Sequence, residues 1–215
     1  MIREYLWDGT FVTLRLCYRE GHFPERVTLF DCDSHLAQTV QLLNEKGCCT
    51  TGCCEGHPCR TVSASGRRIR RGPVILAGGY LDFCRPEDRD AFLAALTPQG
   101  DQFYAVPSPA GDAARLCWRL RCSGTREAEI RALYEAVWHT LLQAAQALPA
   151  RTNSPVESAT LLPGPGRAND CDPETISLSA DGTLTDSRLA FCETEAEWQE
   201  ETRRALALLC REPDA

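Results

Sequence analysis

Between Asn44 and Thr61 the chain reads NEKGCCTTGCCEGHPCRT, with Cys48, Cys49, Cys53, Cys54 and Cys59 around His57 and Arg60 near the end. Thiols at this density bind metal, act as nucleophiles or oxidise. Residues 48–60 are therefore the candidate functional site, for a small ligand, a metal ion or a protein partner. For metal, Cys54-x2-His57 and Cys32-x2-His35 are pairs at ligand spacing, each after an expected strand. Zinc wants four ligands in a tetrahedron, and Cys59 can replace either histidine, so Cys54, His57, Cys32 and Cys59 are the candidate ligands. For catalysis, His57 titrates near neutrality and can activate Cys54 as a thiolate. Thr51, Gly56 and Arg60 are candidate ligand contacts, with Gly56 letting backbone N–H groups face a bound group. The structural alternative is a loop of buried thiols acting as small hydrophobes, with His57 hydrogen-bonding the loop.

Beyond the loop, Arg67, Arg68, Arg70 and Arg71 form a basic cluster. It offers an anion-binding surface beside the thiols, with Arg68 and Arg70 as contacts, or it is a solvated loop on an acidic protein.

Two resemblances bear on the same residues. Cys54 to Thr61 fits C-x5-R-[S/T] and resembles the phosphate loop of low-molecular-weight tyrosine phosphatases and related arsenate reductases. That resemblance implies Cys54 as nucleophile, Arg60 as a bidentate phosphoryl clamp and a helix starting at the arginine. The longer stretch from Asp33 to His57 carries Leu43-Asn44, Thr50-Thr51, Cys54, Gly56 and His57. It resembles an uncharacterised family of small bacterial and phage proteins, whose core is a helix ending LN-x-x-G, a strand with a threonine, and S-C-x-G-H. More distantly it is similar to the wybutosine-synthesising tRNA methyltransferase family, although His57 stands where that family has arginine. This second likeness implies an S-adenosylmethionine and tRNA site near the loop.

The elements that must position these residues read as a mixed α+β chain with mostly antiparallel neighbours. Ile2–Trp7 and Thr10–Tyr18 flank Asp8-Gly9, a hairpin signal. Arg26–Phe30 is an expected strand. Asp33 can N-cap a helix to about Lys46, with Gly47 as its stop. Cys48–Cys53 and Val74–Phe83 read as strands, the latter interrupted by Gly78-Gly79, and Ser63–Gly72 as an exposed connection. Pro86–Leu96 reads as a short helix, and Gln102–Val106 and Arg115–Cys122 as strands. The clearest helix is Arg126–Leu148, where apolar residues keep i, i+3, i+4, i+7 spacing behind a Thr125 N-cap. Residues 149–173 are rich in Pro, Gly, Ser and Asn and read as a linker or long loop. Ile176–Ser179 and Thr183–Thr185 flank Asp181-Gly182 as a second hairpin, and a last helix starts at the Thr194-x-x-Glu197 capping box. The expected organisation is a compact domain over 1–148, the linker, and a ββα segment over 174–215 docked on the core.

Composition bounds the function classes. A 215-residue chain with 43% hydrophobic residues can bury a core without staples. Thirteen cysteines therefore need another explanation, and their odd number excludes complete internal pairing. No apolar leader and no membrane-length stretch occur, so the expected setting is cytoplasmic, with reduced thiols. A net charge of −7 argues against extensive nucleic-acid binding. The function read from all this is ligand or partner binding at loop 48–60. The alternatives are an enzyme, either S-adenosylmethionine-dependent on RNA or Cys54-dependent and phosphatase-like, and a zinc module.

Overall fold

The computed structural model describes residues 2–5, 10–23, 25–62, 78–107, 114–120, 126–162, 175–179 and 184–186. In chain order the strands are β1 (Ile2–Tyr5), β2 (Phe11–Tyr18), β3 (Glu25–Asp33), β4 (Thr50–Cys54), β5 (Cys59–Val62), β6 (Tyr80–Phe83), β7 (Phe103–Pro107), β8 (Ala114–Trp118), β9 (Val156–Leu162), β10 (Thr175–Ser179) and β11 (Leu184–Asp186). The helices are α1 (Ala37–Glu45), α2 (Pro86–Leu96) and α3 (Glu127–Ala147). The fold is α+β, and every described strand pair is antiparallel. One sheet runs β11-β10-β3-β2-β9, a second β4-β6-β8-β7, and β1 pairs with β5.

One core serves both larger sheets. Leu14, Leu16 and Phe30 of the first meet Leu81, Leu116 and Trp118 of the second in a single buried cluster with the helices. Alternation along β8 explains its share: Ala114, Leu116 and Trp118 are buried, while Arg115 and Cys117 face the other way. On α3, Ile130, Tyr134, Val137 and Leu141 keep helical spacing and are all buried. α1 packs on β2 and β9, α2 packs on β6, β7 and β8, and α3 touches both helices.

The end of α1 sets the position of β4. Gly47 has φ of 86°, its N–H donates to Asn44 C=O at 2.9 Å, and Cys48 N–H donates to Leu43 C=O at 2.8 Å. These are the paired bonds of a Schellman stop, and glycine takes the left-handed position without a Cβ penalty. Asn44 is fully buried; its amide donates to Thr50 Oγ1 at 2.6 Å and its Oδ1 accepts Thr50 N–H at 3.2 Å. The Asn-x-x-Gly-x-x-Thr pattern thus ties the helix end to the first residue of β4. Asn44→Ala leaves the Thr50 N–H without its acceptor, so a loss of about 2 kcal/mol is expected in urea unfolding. A loss under about 0.5 kcal/mol would show that water replaces the amide there. Nearby, Lys46 reaches the open end of α3, donating from Nζ to Leu148 C=O at 2.5 Å and also to Gln146 C=O.

Several expectations need correction. β1 and β2 do not form the Asp8-Gly9 hairpin: β1 pairs with β5, and both edges of β2 are taken by β3 and β9. A local turn signal yields here to partners that bury the apolar face of β2. Asp33 does not cap α1. It ends β3, a turn through Ser34–Leu36 follows, and α1 begins at Ala37. Residues 156–162, within the segment assigned to a linker, form β9 on the edge of the first sheet. β10 pairs with both β11 and β3, so the second hairpin joins the same sheet. Ser63–Gly72, Thr125 and the helix expected after Thr194 lie outside the described residues.

Candidate functional site

β3 and β4 end side by side, and the loop after β4 folds back between them. Asp33, the last residue of β3, is buried. Its Oδ2 accepts the Glu55 N–H at 2.8 Å, and its Oδ1 lies 3.9 Å from His57 Nε2. Oδ1 is buried and has no hydrogen-bond partner among the described residues. One atom each from Asp33, Cys54 and His57 lies within 4.8 Å of the others. A zinc tetrahedron has ligand–ligand edges of about 3.3–3.8 Å, so closing by about an ångström would complete three of its corners.

Local structure explains the convergence. Gly56 has φ of 89°, which turns the chain after Glu55 and returns His57 toward β3. Cys54 ends β4 opposite Tyr80. A Cβ on Gly79 would stand 2.0 Å from the Cys54 carbonyl oxygen and 2.2 Å from the Trp118 ring. Gly78-Gly79 is thus no simple interruption of a strand. The missing side chain of Gly79 lets β6 close on the edge where Cys54 sits, and that of Gly78 leaves room for the Trp118 carbonyl.

Glu55 holds the site from behind. It is fully buried, its Oε2 is 2.8 Å from His35 Nδ1, and its carbonyl accepts the Trp138 indole N–H at 3.0 Å. The His35 ring stacks on Trp138, with centroids 4.0 Å apart. The Glu55 hydrogen bond raises the His35 pKa, so this pair carries a proton on the imidazole to higher pH. Burial, then the Glu55 charge, push Asp33 up to about 7. Burial lowers the His57 pKa and keeps its ring neutral at neutral pH. A neutral imidazole, a carboxylate whose charge is disfavoured mainly by burial and a thiol form a donor set suited to a borderline divalent ion.

The residues singled out from the sequence divide clearly. Cys54 and His57 come together, and Gly56 makes the turn between them. Cys32 points elsewhere: its Sγ lies 3.2 Å from Cys53 Sγ inside the core, because alternation along β3 sends Cys32 and Asp33 to opposite faces. Asp33 thus takes the place expected of Cys32. Thr51 is exposed on β4. Cys59 and Arg60 lie in β5, paired with Tyr5 and Glu4. A strand at Arg60 stands where the phosphatase-type loop demands a helix N-terminus. Arg68 and Arg70 lie outside the described residues. The sequence reading did not place Asp33 and Glu55 beside Cys54 and His57. The available signal was a carboxylate directly beside each thiol, in Cys32-Asp33 and Cys54-Glu55.

Comparisons with protein-family models, curated proteins and solved structures find no match to this chain. No helix among the described residues is long and apolar enough to cross a membrane.

Proposed function

We propose that this protein binds a divalent metal ion, zinc in the first instance, through Asp33, Cys54 and His57, and holds a small ligand at the remaining coordination position. The observation that carries the reading is the convergence of three donor atoms within 4.8 Å, beside an Asp33 Oδ1 that is buried and has no hydrogen-bond partner among the described residues. A thiolate–imidazole–carboxylate relay would instead use the two opposite nitrogens of the imidazole; one atom per residue facing a common point favours an ion. Glu55 supports the ligand set by holding Asp33 Oδ2 through its N–H, which leaves Oδ1 for the ion. Three protein ligands and an open position are the arrangement in which zinc polarises a ligand or acidifies a bound water. A reducing, cytoplasmic setting suits the proposal, because Cys54 ligates only as a thiolate.

Cobalt substitution tests it. Metal-free, reduced protein titrated with Co2+ should gain a thiolate-to-cobalt charge-transfer band at one equivalent, and zinc should displace it. Cys54→Ser should lose that band, and His57→Ala should weaken binding by about 100-fold or more. The proposal fails if neither ion binds more tightly than about 1 mM, or if Cys54→Ser keeps the band. The transferase reading rests on the resemblance of residues 33–57. Heat on titration with S-adenosylmethionine, undiminished in the metal-free protein, would favour it.

A further inference from the structure

A second thiol pair lies at the far end of β4, away from Asp33, Cys54 and His57. Cys49 precedes β4 and Cys84 follows β6, one step beyond the Thr50–Phe83 pair in the register. Cys84 N–H donates to Cys49 C=O at 2.9 Å. The Cys49 N–H that would complete a reciprocal pair goes instead to Asp88 Oδ2 at 3.2 Å. Hydrogen-bonded antiparallel neighbours sit about 5.5 Å apart at Cα, within the range a disulfide spans.

The two thiols are unequal. Cys49 is fully buried, whereas Cys84 is half-buried. Cys84 also leads straight into α2, whose flanking residue is Arg85 and whose first residue is Pro86. A helix N-terminus and a neighbouring guanidinium favour a thiolate. Interaction with Cys84, then burial, holds the Cys49 thiol up, and interaction with Cys49 pulls the Cys84 thiol down. Asp88 opposes the thiolate, but Arg85 and Arg151 both pair with it. Cys32 and Cys53, another close pair among the described residues, are both buried and offer no sulfur to an external reactant.

We propose that Cys84 and Cys49 form a redox-active dithiol that reduces a low-molecular-weight disulfide, with Cys84 attacking and Cys49 resolving. The Cys84 thiolate attacks one sulfur of R–S–S–R, forming a mixed disulfide as the R–S–S–R bond breaks and one thiolate leaves. Cys49, on losing its proton, attacks the Cys84 sulfur and expels the second thiolate. The two thiol protons of the protein end on the two departing thiolates. Two electrons pass from the protein to the substrate, giving one intramolecular disulfide and two R–SH. This activity does not depend on the metal reading.

The test treats the reduced full-length protein with glutathione disulfide, quenches by alkylation and maps the peptides without reduction. The expected products are a Cys49–Cys84 disulfide in the wild type and a Cys84–glutathione adduct that accumulates in Cys49→Ala. Cys84→Ala should yield neither, with Cys49 unmodified. In the untreated protein Cys84 should be alkylated by iodoacetamide roughly tenfold faster than Cys49. A folded Cys49→Ala without the adduct overturns the proposal, as does a wild type in which another cysteine pair links while Cys84 stays reduced. If Cys49→Ala does not fold, the wild-type alkylation order decides, and a Cys84 no faster than Cys49 overturns it.

Discussion

Asp33→Asn should stabilise the metal-free protein at alkaline pH and abolish its metal affinity. Asp33 has its pKa pushed from 3.8 to about 7, first by burial and then by the Glu55 charge. The folded state therefore holds a proton that the unfolded chain releases. Stability is full at low pH and falls as pH rises from about 4 through 7, where the buried carboxylate ionises. The slope is bounded by about 1.4 kcal/mol per pH unit for one group. Asparagine keeps an acceptor for the Glu55 N–H but never ionises. In urea unfolding with chelator present, the stability of the variant relative to wild type should rise by about 2 kcal/mol between pH 5 and pH 8. Metal affinity moves the other way, because the ion needs the ionised carboxylate: wild-type binding should weaken below neutrality and the variant should not bind. A gap that does not change with pH would mean Asp33 is not the buried acid; a variant that still binds cobalt would remove it from the ligand set.

Asp88→Ala should cost about 2–3 kcal/mol, enough to lower the melting temperature by roughly 5–10 °C. Asp88 is fully buried and collects four donors. Arg85 Nε and Nη2 reach it at 3.0 and 3.1 Å, the Cys49 N–H at 3.2 Å, and Arg151 Nη1 pairs with it as well. These donors come from the start of α2, the approach to β4 and the segment after α3. Truncation leaves the buried Cys49 N–H without its acceptor and two partly exposed guanidinium groups without their common anion. Asp90→Ala serves as control, since Asp90 is exposed and pairs only with the adjacent Arg89 in the contacts described. Its effect should stay within about 0.5 kcal/mol. A calorimetric loss under about 1 kcal/mol for Asp88→Ala would show that the arginines find water and that the junction is not pinned there.

Legibility from the sequence followed the range of the signal. The periodicity of α3, the Pro86 start of α2 and the Gly47 stop of α1 are local features, and each element lies where its pattern falls. The approach of Cys54 and His57 in the candidate site was also legible, because Gly56 turns the chain between them within four residues. What could not be read depended on distant partners. β9 has only Val156 and Ala159 buried among exposed Glu157 and Ser158, too weak a pattern to stand out from a loop until β2 is seen beside it. Asp33 looks like a helix cap because a helix follows it closely. Its actual role depends on Glu55, 22 residues on, and on the face of β3 that the pleat gives it.

The strand order of the first sheet sets a timetable for biosynthesis. β2 and β3 are complete once residue 33 is made, yet their outer neighbours β9 and β10 come from residues 156–179. At roughly 5–20 residues per second, a ribosome needs on the order of ten seconds to supply them. For that interval both flanks of the first hairpin offer unpaired backbone to any passing strand. This hairpin therefore waits for its neighbours, and a nascent chain halted before β9 is the species that a holding chaperone would have to protect.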